Sequence, residues 1–186
     1  MVKKAAAVFI SGKGSNLKTL LLNSNKYNLP IKIKLVVSSS KKAAGLTYAK
    51  KWSIPYIIFN NTSILNEIKL LNELKSRKIT FLCLAGYMRI LSKNFIKKFN
   101  NTIINIHPSL LPKYKGLNTH QRALKAKEKY SGCTIHFVNQ KLDSGKIIAK
   151  KKVKIFKKDT LKKLEKRVLK EENKLYPLVL EKLVRS

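Results

Sequence analysis

Apolar and polar positions along this chain alternate between two rhythms. Short runs rich in β-branched and apolar residues, at 5–10, 31–37, 56–59, 81–84 and 102–106, have the length of buried strands and are bounded by turn residues. Between them apolar residues recur at helical spacing: Leu17, Leu20, Leu21 and Leu22 after the first run, and residues 43–52 after the second. A cap at Thr62 or Ser63 opens a helix carrying Ile64, Leu65, Ile68, Leu71 and Leu74, and a short helix follows Ser92. Residues 23–30 are turn-rich, and 38–40 form a serine loop. Strands and helices alternating over short connections predict an α/β fold with a doubly wound, mostly parallel sheet.

The rhythm changes in the last third. Residues 119–127 read as a helix, and 131–138 and 146–154 as two strands joined closely enough for antiparallel pairing. A long amphipathic helix, capped by Asp159 or Thr160, then runs through Leu161, Leu164, Val168, Leu169 and Leu175. Pro177 should kink or interrupt it. With 186 residues, no Pro/Gly/Ser linker and no internal repeat, one domain spanning 1–186 is expected.

Composition changes the picture in two ways. The chain opens on Met1, Val2, Lys3 and Lys4 before an apolar run, a loose imitation of a secretory signal; the run is too short and ends in Ser11-Gly12-Lys13-Gly14, so it reads as a first strand. No stretch is apolar for long enough to cross a bilayer. Cys83 and Cys133 fall inside predicted buried strands and are expected as core thiols in a cytoplasmic protein. The Asn-x-Ser/Thr triplets at Asn60, Asn61 and Asn100 then have no meaning as glycosylation sites. Net charge is the second feature: 41 Lys and Arg against 9 Asp and Glu give +32. Such an excess favours polyanions. The lysines are nevertheless scattered, with no single basic helix and no interleaved aromatic platform, which fits compositional drift better than a nucleic-acid surface.

Candidate chemistry gathers where the fifth strand ends. Asn105-Ile106-His107-Pro108 places an amide and an imidazole two residues apart, on one face of a strand that proline then terminates. Ligands of α/β sheets bind outside the carboxyl ends of strands. Leu142-Asp143-Ser144-Gly145 offers a carboxylate beside a turn to complete the site. Such a trio suits acyl or formyl transfer: the amide and imidazole stabilise a carbonyl oxygen as it gains charge, and a carboxylate raises the imidazole's pKa. Gly12-Lys13-Gly14-Ser15-Asn16, between a strand and a helix, presents backbone N–H groups to an anion. It matches neither the dinucleotide fingerprint nor the P-loop. His107, His120 and His136 lack metal-ligand spacing, and no Gly-x-Ser-x-Gly elbow is present, so neither a metal site nor a serine nucleophile is expected.

Taken together these motifs resemble the folate-dependent phosphoribosylglycinamide formyltransferases. The likeness runs from Ser11-Gly12-Lys13-Gly14-Ser15-Asn16 through residues 84–91, 105–116 and 132–138 to Leu142-Asp143-Ser144-Gly145. It implies transfer of a formyl group from 10-formyltetrahydrofolate to the amine of glycinamide ribonucleotide. By position it implies that His107 is the proton-donating group, that Asn105 binds the formyl oxygen and that Asp143 tunes the histidine and relays protons. It further implies that Gly14, Ser15 and Asn16 hold the ribonucleotide's phosphate and Glu172 its ribose, and that Met88, Arg89, Ile90 and Leu91, with Asn105, line the folate slot. A phosphate-binding half at about 1–100 and a catalytic, folate-binding half at about 101–186 follow. Small-molecule substrates, no obligate nucleic acid, no membrane and a monomer or weak homodimer are expected. Asn118 departs from a histidine found in some members, Ser63 from a basic residue, and Lys13 is a further variation. Two other readings stay open: an enzyme like methionyl-tRNA formyltransferase, against which the chain's length and Gly116-Leu117-Asn118-Thr119-His120 count, and a non-catalytic basic RNA-binding module.

Overall fold

A computed structural model of the protein describes residues 3–26, 29–60 and 63–185. The candidate cap Thr62, the triplet residue Asn61, part of the expected turn at 23–30 and the opening Met1 and Val2 lie outside the described residues. In chain order the elements are β1 (Lys4–Ile10), α1 (Ser15–Lys26), β2 (Ile31–Ser38), α2 (Leu46–Lys51), β3 (Tyr56–Ile58), α3 (Ile64–Ser76) and β4 (Phe81–Leu84). There follow α4 (Lys93–Phe99), β5 (Thr102–His107), α5 (Thr119–Lys125), β6 (Tyr130–Phe137), β7 (Ile147–Lys154) and α6 (Leu161–Arg185). The strands form one sheet in the order β3-β2-β1-β4-β5-β6-β7. Pairing is parallel from β3 to β5 and antiparallel at β5–β6 and β6–β7, as expected.

The period of two along each strand divides the core between the two faces of the sheet. Ala6, Val8 and Ile10 of β1, Phe81 and Cys83 of β4 and Ile104 and Ile106 of β5 join one cluster with α1, α2 and α6. Ala7 and Phe9, Leu82 and Leu84, and Ile103 face the other way, against Leu70 and Leu74 of α3 and Phe95 and Phe99 of α4. Each such buried Leu, Ile or Phe contributes about 1.5–3 kcal/mol. Both cysteines are free and buried, and burial pushes each thiol up to about 12.

Helix boundaries follow local chemistry. Ser63 caps α3 by accepting from Asn66 N–H at 3.2 Å, and Ser92 caps α4 by accepting from Phe95 N–H at 2.9 Å. At α6 it is Thr160 that accepts from Lys163 N–H, at 3.3 Å, because Asp159 is engaged by Arg167 at 2.6 and 2.8 Å. The helix expected from residue 43 starts only at Leu46; residues 43–45 lead in through tighter turns, with Leu46 N–H donating to Ala43 O at 3.0 Å and Thr47 N–H to Ala44 O at 3.1 Å, and Gly45 N–H donates to Gly12 O at 2.9 Å. Pro177 does not interrupt α6, which runs continuously from Leu161 to Arg185. Tyr176, Pro177, Val179 and Leu180 are all buried there, and that packing offsets the roughly 3 kcal/mol cost of an internal proline.

Strand order reverses between β1 and β4, so their carboxyl ends open a crevice. The loops that follow β1, β2 and β4 are tied together there: Ser39 Oγ donates to Ser11 Oγ at 2.6 Å, and Ser11 Oγ accepts from Met88 N–H at 2.7 Å.

Candidate active site

Because Ile104 and Ile106 face one core and Ile103 the other, Asn105 and His107 project with Ile103, on the same side of the sheet. Antiparallel pairing sets Asn105 opposite His136 and His107 opposite Thr134, and residues directly opposite share a face. The loop after β6 then folds back and brings in Asp143, in a left-handed backbone conformation with φ of 44°. This return needs Gly145: a Cβ there would lie 1.6 Å from Phe137 O.

Asp143 stands between two imidazoles, with Oδ2 3.4 Å from His107 Nδ1 and Oδ1 3.6 Å from His136 Nε2. Gly116 N–H donates to Oδ2 at 2.8 Å. The far side of each ring meets a carbonyl, which can only accept: His107 Nε2 lies 2.9 Å from Tyr114 O, and His136 Nδ1 lies 2.8 Å from Phe137 O. Each of those nitrogens therefore carries a proton. The remaining nitrogens, His107 Nδ1 and His136 Nε2, both face the carboxylate. His136 Nε2 also lies 3.2 Å from Asn105 Nδ2, whose N–H donates to it and so fixes the orientation of that amide.

Burial pushes His107 down, and it outweighs the upward pull of the Tyr114 carbonyl and the Asp143 charge, so the ring titrates below its ordinary value. The expectation of a raised pKa is corrected on this point. Asp143 acts in the expected sense but loses to desolvation. Burial also pushes Asp143 up, yet the His136 and Gly116 hydrogen bonds and the two imidazoles prevail and hold its carboxyl below the usual range. Near neutral pH the site thus holds a carboxylate beside a mostly uncharged His107 with a free lone pair at Nδ1.

A second cluster forms at the start of α1. Gly14 adopts φ of 71° and packs where a Cβ would meet Gly45 Cα at 2.5 Å, which brings the glycine loop onto the start of α2. Ser15 opens α1, and Asn16 Nδ2 donates to Glu172 Oε2 at 2.8 Å, joining residues far apart in sequence. Burial raises the Glu172 carboxyl, partly countered by Asn16. Asn16 Oδ1 is buried without a hydrogen-bond partner among the described residues, an acceptor suited to a ligand donor.

Residues 4–180 match the formyl transferase family. The chain belongs to the formyl transferase family. It is 41% identical over 182 residues to the phosphoribosylglycinamide formyltransferase of Haemophilus influenzae, covering 96% of this chain and 86% of that one. It is 39% identical to the human trifunctional purine biosynthetic protein adenosine-3, where the match covers 96% of this chain and 18% of the larger protein. Among solved structures, phosphoribosylglycinamide formyltransferase from Brucella melitensis superposes with a TM-score of 0.91 at 41% identity, covering 99% and 97% of the two chains. The Bacillus halodurans enzyme of the same name gives 0.92 at 34%, covering 97% and 95%.

Within this formyl transferase fold, the structure brings most of the candidate residues together. A cavity of about 90 Å³ is lined by Arg89, Ile90 and Leu91 on one side and Asn105, His136 and Asp143 on the other. Met88 is 64% exposed and does not line it, and His107 sits behind, buried. Hollows of about 500 and 580 Å³ lie elsewhere, at the β5–α5 loop and between α3 and α4. His136 is the residue that the sequence reading missed as a site member. Its signal was positional, two residues after Thr134 on an alternating strand, but only the β5–β6 register shows that it faces Asn105.

Proposed function

We propose that the protein transfers the formyl group of 10-formyltetrahydrofolate to the amine of glycinamide ribonucleotide, a step of purine biosynthesis. The observation that carries this reading is Asp143 held between His107 and His136, beside Asn105, in a chain whose relatives bear that enzyme's name. The attacking amine nitrogen bonds to the formyl carbon, and the bond from that carbon to N10 of the folate breaks. One proton leaves the attacking nitrogen and one arrives at N10. Asn105 Nδ2–H stabilises the formyl oxygen as it becomes anionic. The first proton passes by way of Asp143, which lines the cavity, to His107 Nδ1 behind it, uncharged at rest, and returns by the same path to N10, with Asp143 stabilising the imidazolium in between. No covalent enzyme intermediate is required.

Gly14, Ser15 and Asn16 take the phosphate at the N-terminal end of α1, with Glu172 on the ribose, and residues 88–91 flank the folate ring. A phosphate-binding half at about 1–100 and a catalytic half at about 101–186 are stitched by the Asn16–Glu172 bond. Both substrates are small and polar, as suits a cytoplasmic enzyme working as a monomer or weak homodimer. The test offers 10-formyltetrahydrofolate with glycinamide ribonucleotide and, separately, with methionyl-tRNA, and follows tetrahydrofolate release. Turnover with the ribonucleotide alone is expected. Formylation of the tRNA instead would overturn the assignment, and so would undiminished turnover in His107→Ala.

A further inference from the structure

The loop from β5 to α5 holds both members of the catalytic pair from behind. The Tyr114 carbonyl accepts from His107 Nε2 at 2.9 Å and so decides which ring nitrogen keeps its proton. Two residues on, Gly116 N–H donates to Asp143 Oδ2 at 2.8 Å. Tyr114 reaches this position with φ of 58°, a left-handed conformation that bulky residues rarely adopt and that persists only where the surroundings impose it.

Those surroundings are a polar clamp outside the site. Glu128 Oε1 accepts from Tyr114 Oη at 2.8 Å and from Lys113 Nζ at 2.7 Å. The Arg122 guanidinium lies over the Tyr114 ring, 5.1 Å from its centroid, and donates to Lys115 O at 2.6 Å. Behind the loop lies a cavity of about 500 Å³, lined by Leu110, Lys113, Tyr114, Glu128 and Tyr130 among others. The clamp therefore restrains the Tyr114 ring on the side away from the site.

We propose that Glu128, assisted by Arg122, is a positioning residue that acts through Tyr114 and Gly116 to fix the tautomer of His107 and the spacing of its ring from Asp143. The proposal rests on His107 and Asp143 being the proton-moving pair. Glu128 touches neither of them, and its ion pair with the largely exposed Lys113 belongs to a class that adds little stability. Its loss should cost rate without costing the fold.

The experiment compares Glu128→Ala, Tyr114→Phe and Glu128→Gln with the unaltered chain, measuring kcat and KM across pH, thermal midpoints and the nitrogen-15 signals of the His107 ring. In Glu128→Ala and Tyr114→Phe, kcat falls about tenfold, in line with the cost of a misplaced catalytic group, while both KM values stay within about twofold. Glu128→Gln, which keeps an oxygen acceptor for Tyr114 Oη, recovers most of the rate. The ring signals change from a single Nε2–H tautomer to a mixture in Glu128→Ala. Unchanged kcat and unchanged ring signals in Glu128→Ala overturn the proposal, as does a rate loss matched by loss of the fold and not recovered in Glu128→Gln. Full activity in His107→Ala instead sinks the reading of the pair. The ring signals need no turnover, so the two failures are distinguishable.

Discussion

Replacing Asp143 by asparagine strikes the site at its pivot while leaving its shape. Asparagine keeps an oxygen to accept from Gly116 N–H, so the loop should hold and the thermal midpoint should change little. What disappears is the charge 3.4 Å from His107 Nδ1. At an effective dielectric constant of about 20, a carboxylate and an imidazolium at that separation attract by about 5 kcal/mol. Desolvation takes part of this back, since the two side chains are only 7% and 8% exposed. About 3–4 kcal/mol of stabilisation for the transient imidazolium remains, which corresponds to a loss of roughly 10²- to 10³-fold in kcat.

The assay is steady-state tetrahydrofolate formation across pH, with ribonucleotide binding followed by calorimetry. Binding should be unchanged within about threefold, because Asp143 makes its contribution after the substrates are seated. The pH profile has a fixed sign. His107 must be uncharged to accept a proton, so kcat is full above its folded pKa, which lies below the ordinary value, and declines as pH falls through it. Asp143 raises that pKa, so its removal moves the decline to lower pH. A variant within about tenfold of the unaltered rate, or a decline displaced to higher pH, would refute the reasoning.

Three further outcomes follow from other parts of the fold. Gly145→Ala sets a Cβ 1.6 Å from Phe137 O, so the Asp143 loop must move; denaturant unfolding should register a loss of about 3 kcal/mol, with kcat falling alongside. Asn16→Ala removes the Glu172 partner and the buried Oδ1 acceptor beside the phosphate loop, and kinetics should show KM for the ribonucleotide raised about tenfold or more with kcat within about twofold. Glu172 has a raised folded pKa, so its contribution is present below the ordinary carboxylate range and is lost as pH rises through the folded value. Glu172→Gln should therefore be less sensitive than the unaltered chain to a change from pH 5 to pH 8 in unfolding experiments.

How far the sequence could be read depended on whether a feature was local. The strand at 102–107 and its end at Pro108 are written in adjacent residues, and so is the shared face of Asn105 and His107. Ser63 and Ser92 sit where capping chemistry puts them. His136 required the register of β5 against β6, which no local pattern specifies. The docking of the start of α2 depends on Gly12, far back in the chain, accepting from Gly45 N–H, which no local pattern announces. The direction of the His107 shift depended on how much protein covers the ring, and a neighbouring Asp could not reveal that.

The extreme charge gains a meaning once the acids are located. The chain retains 9 Asp and Glu against 41 Lys and Arg, and the acids are not spread as the lysines are. Asp143 and Glu172 belong to the candidate site, Glu128 clamps the loop behind it, and Asp159 binds Arg167 ahead of α6. Glu67, buried in α3, accepts from the Ser92 cap of α4 at 2.8 Å. Glu73, Glu171 and Glu181 pair along their own helices, and burial lowers the pKa of His120 against the opposing pull of nearby Glu165. Drift toward lysine at solvated positions costs little in stability, because exposed ion pairs contribute little. Loss of an acid that holds a loop, a cap or a catalytic imidazole costs far more. A composition shaped by drift would strip carboxylates from idle positions first and leave those with specific partners, and Glu128, which clamps the loop behind the candidate site, is one of the acids that has them.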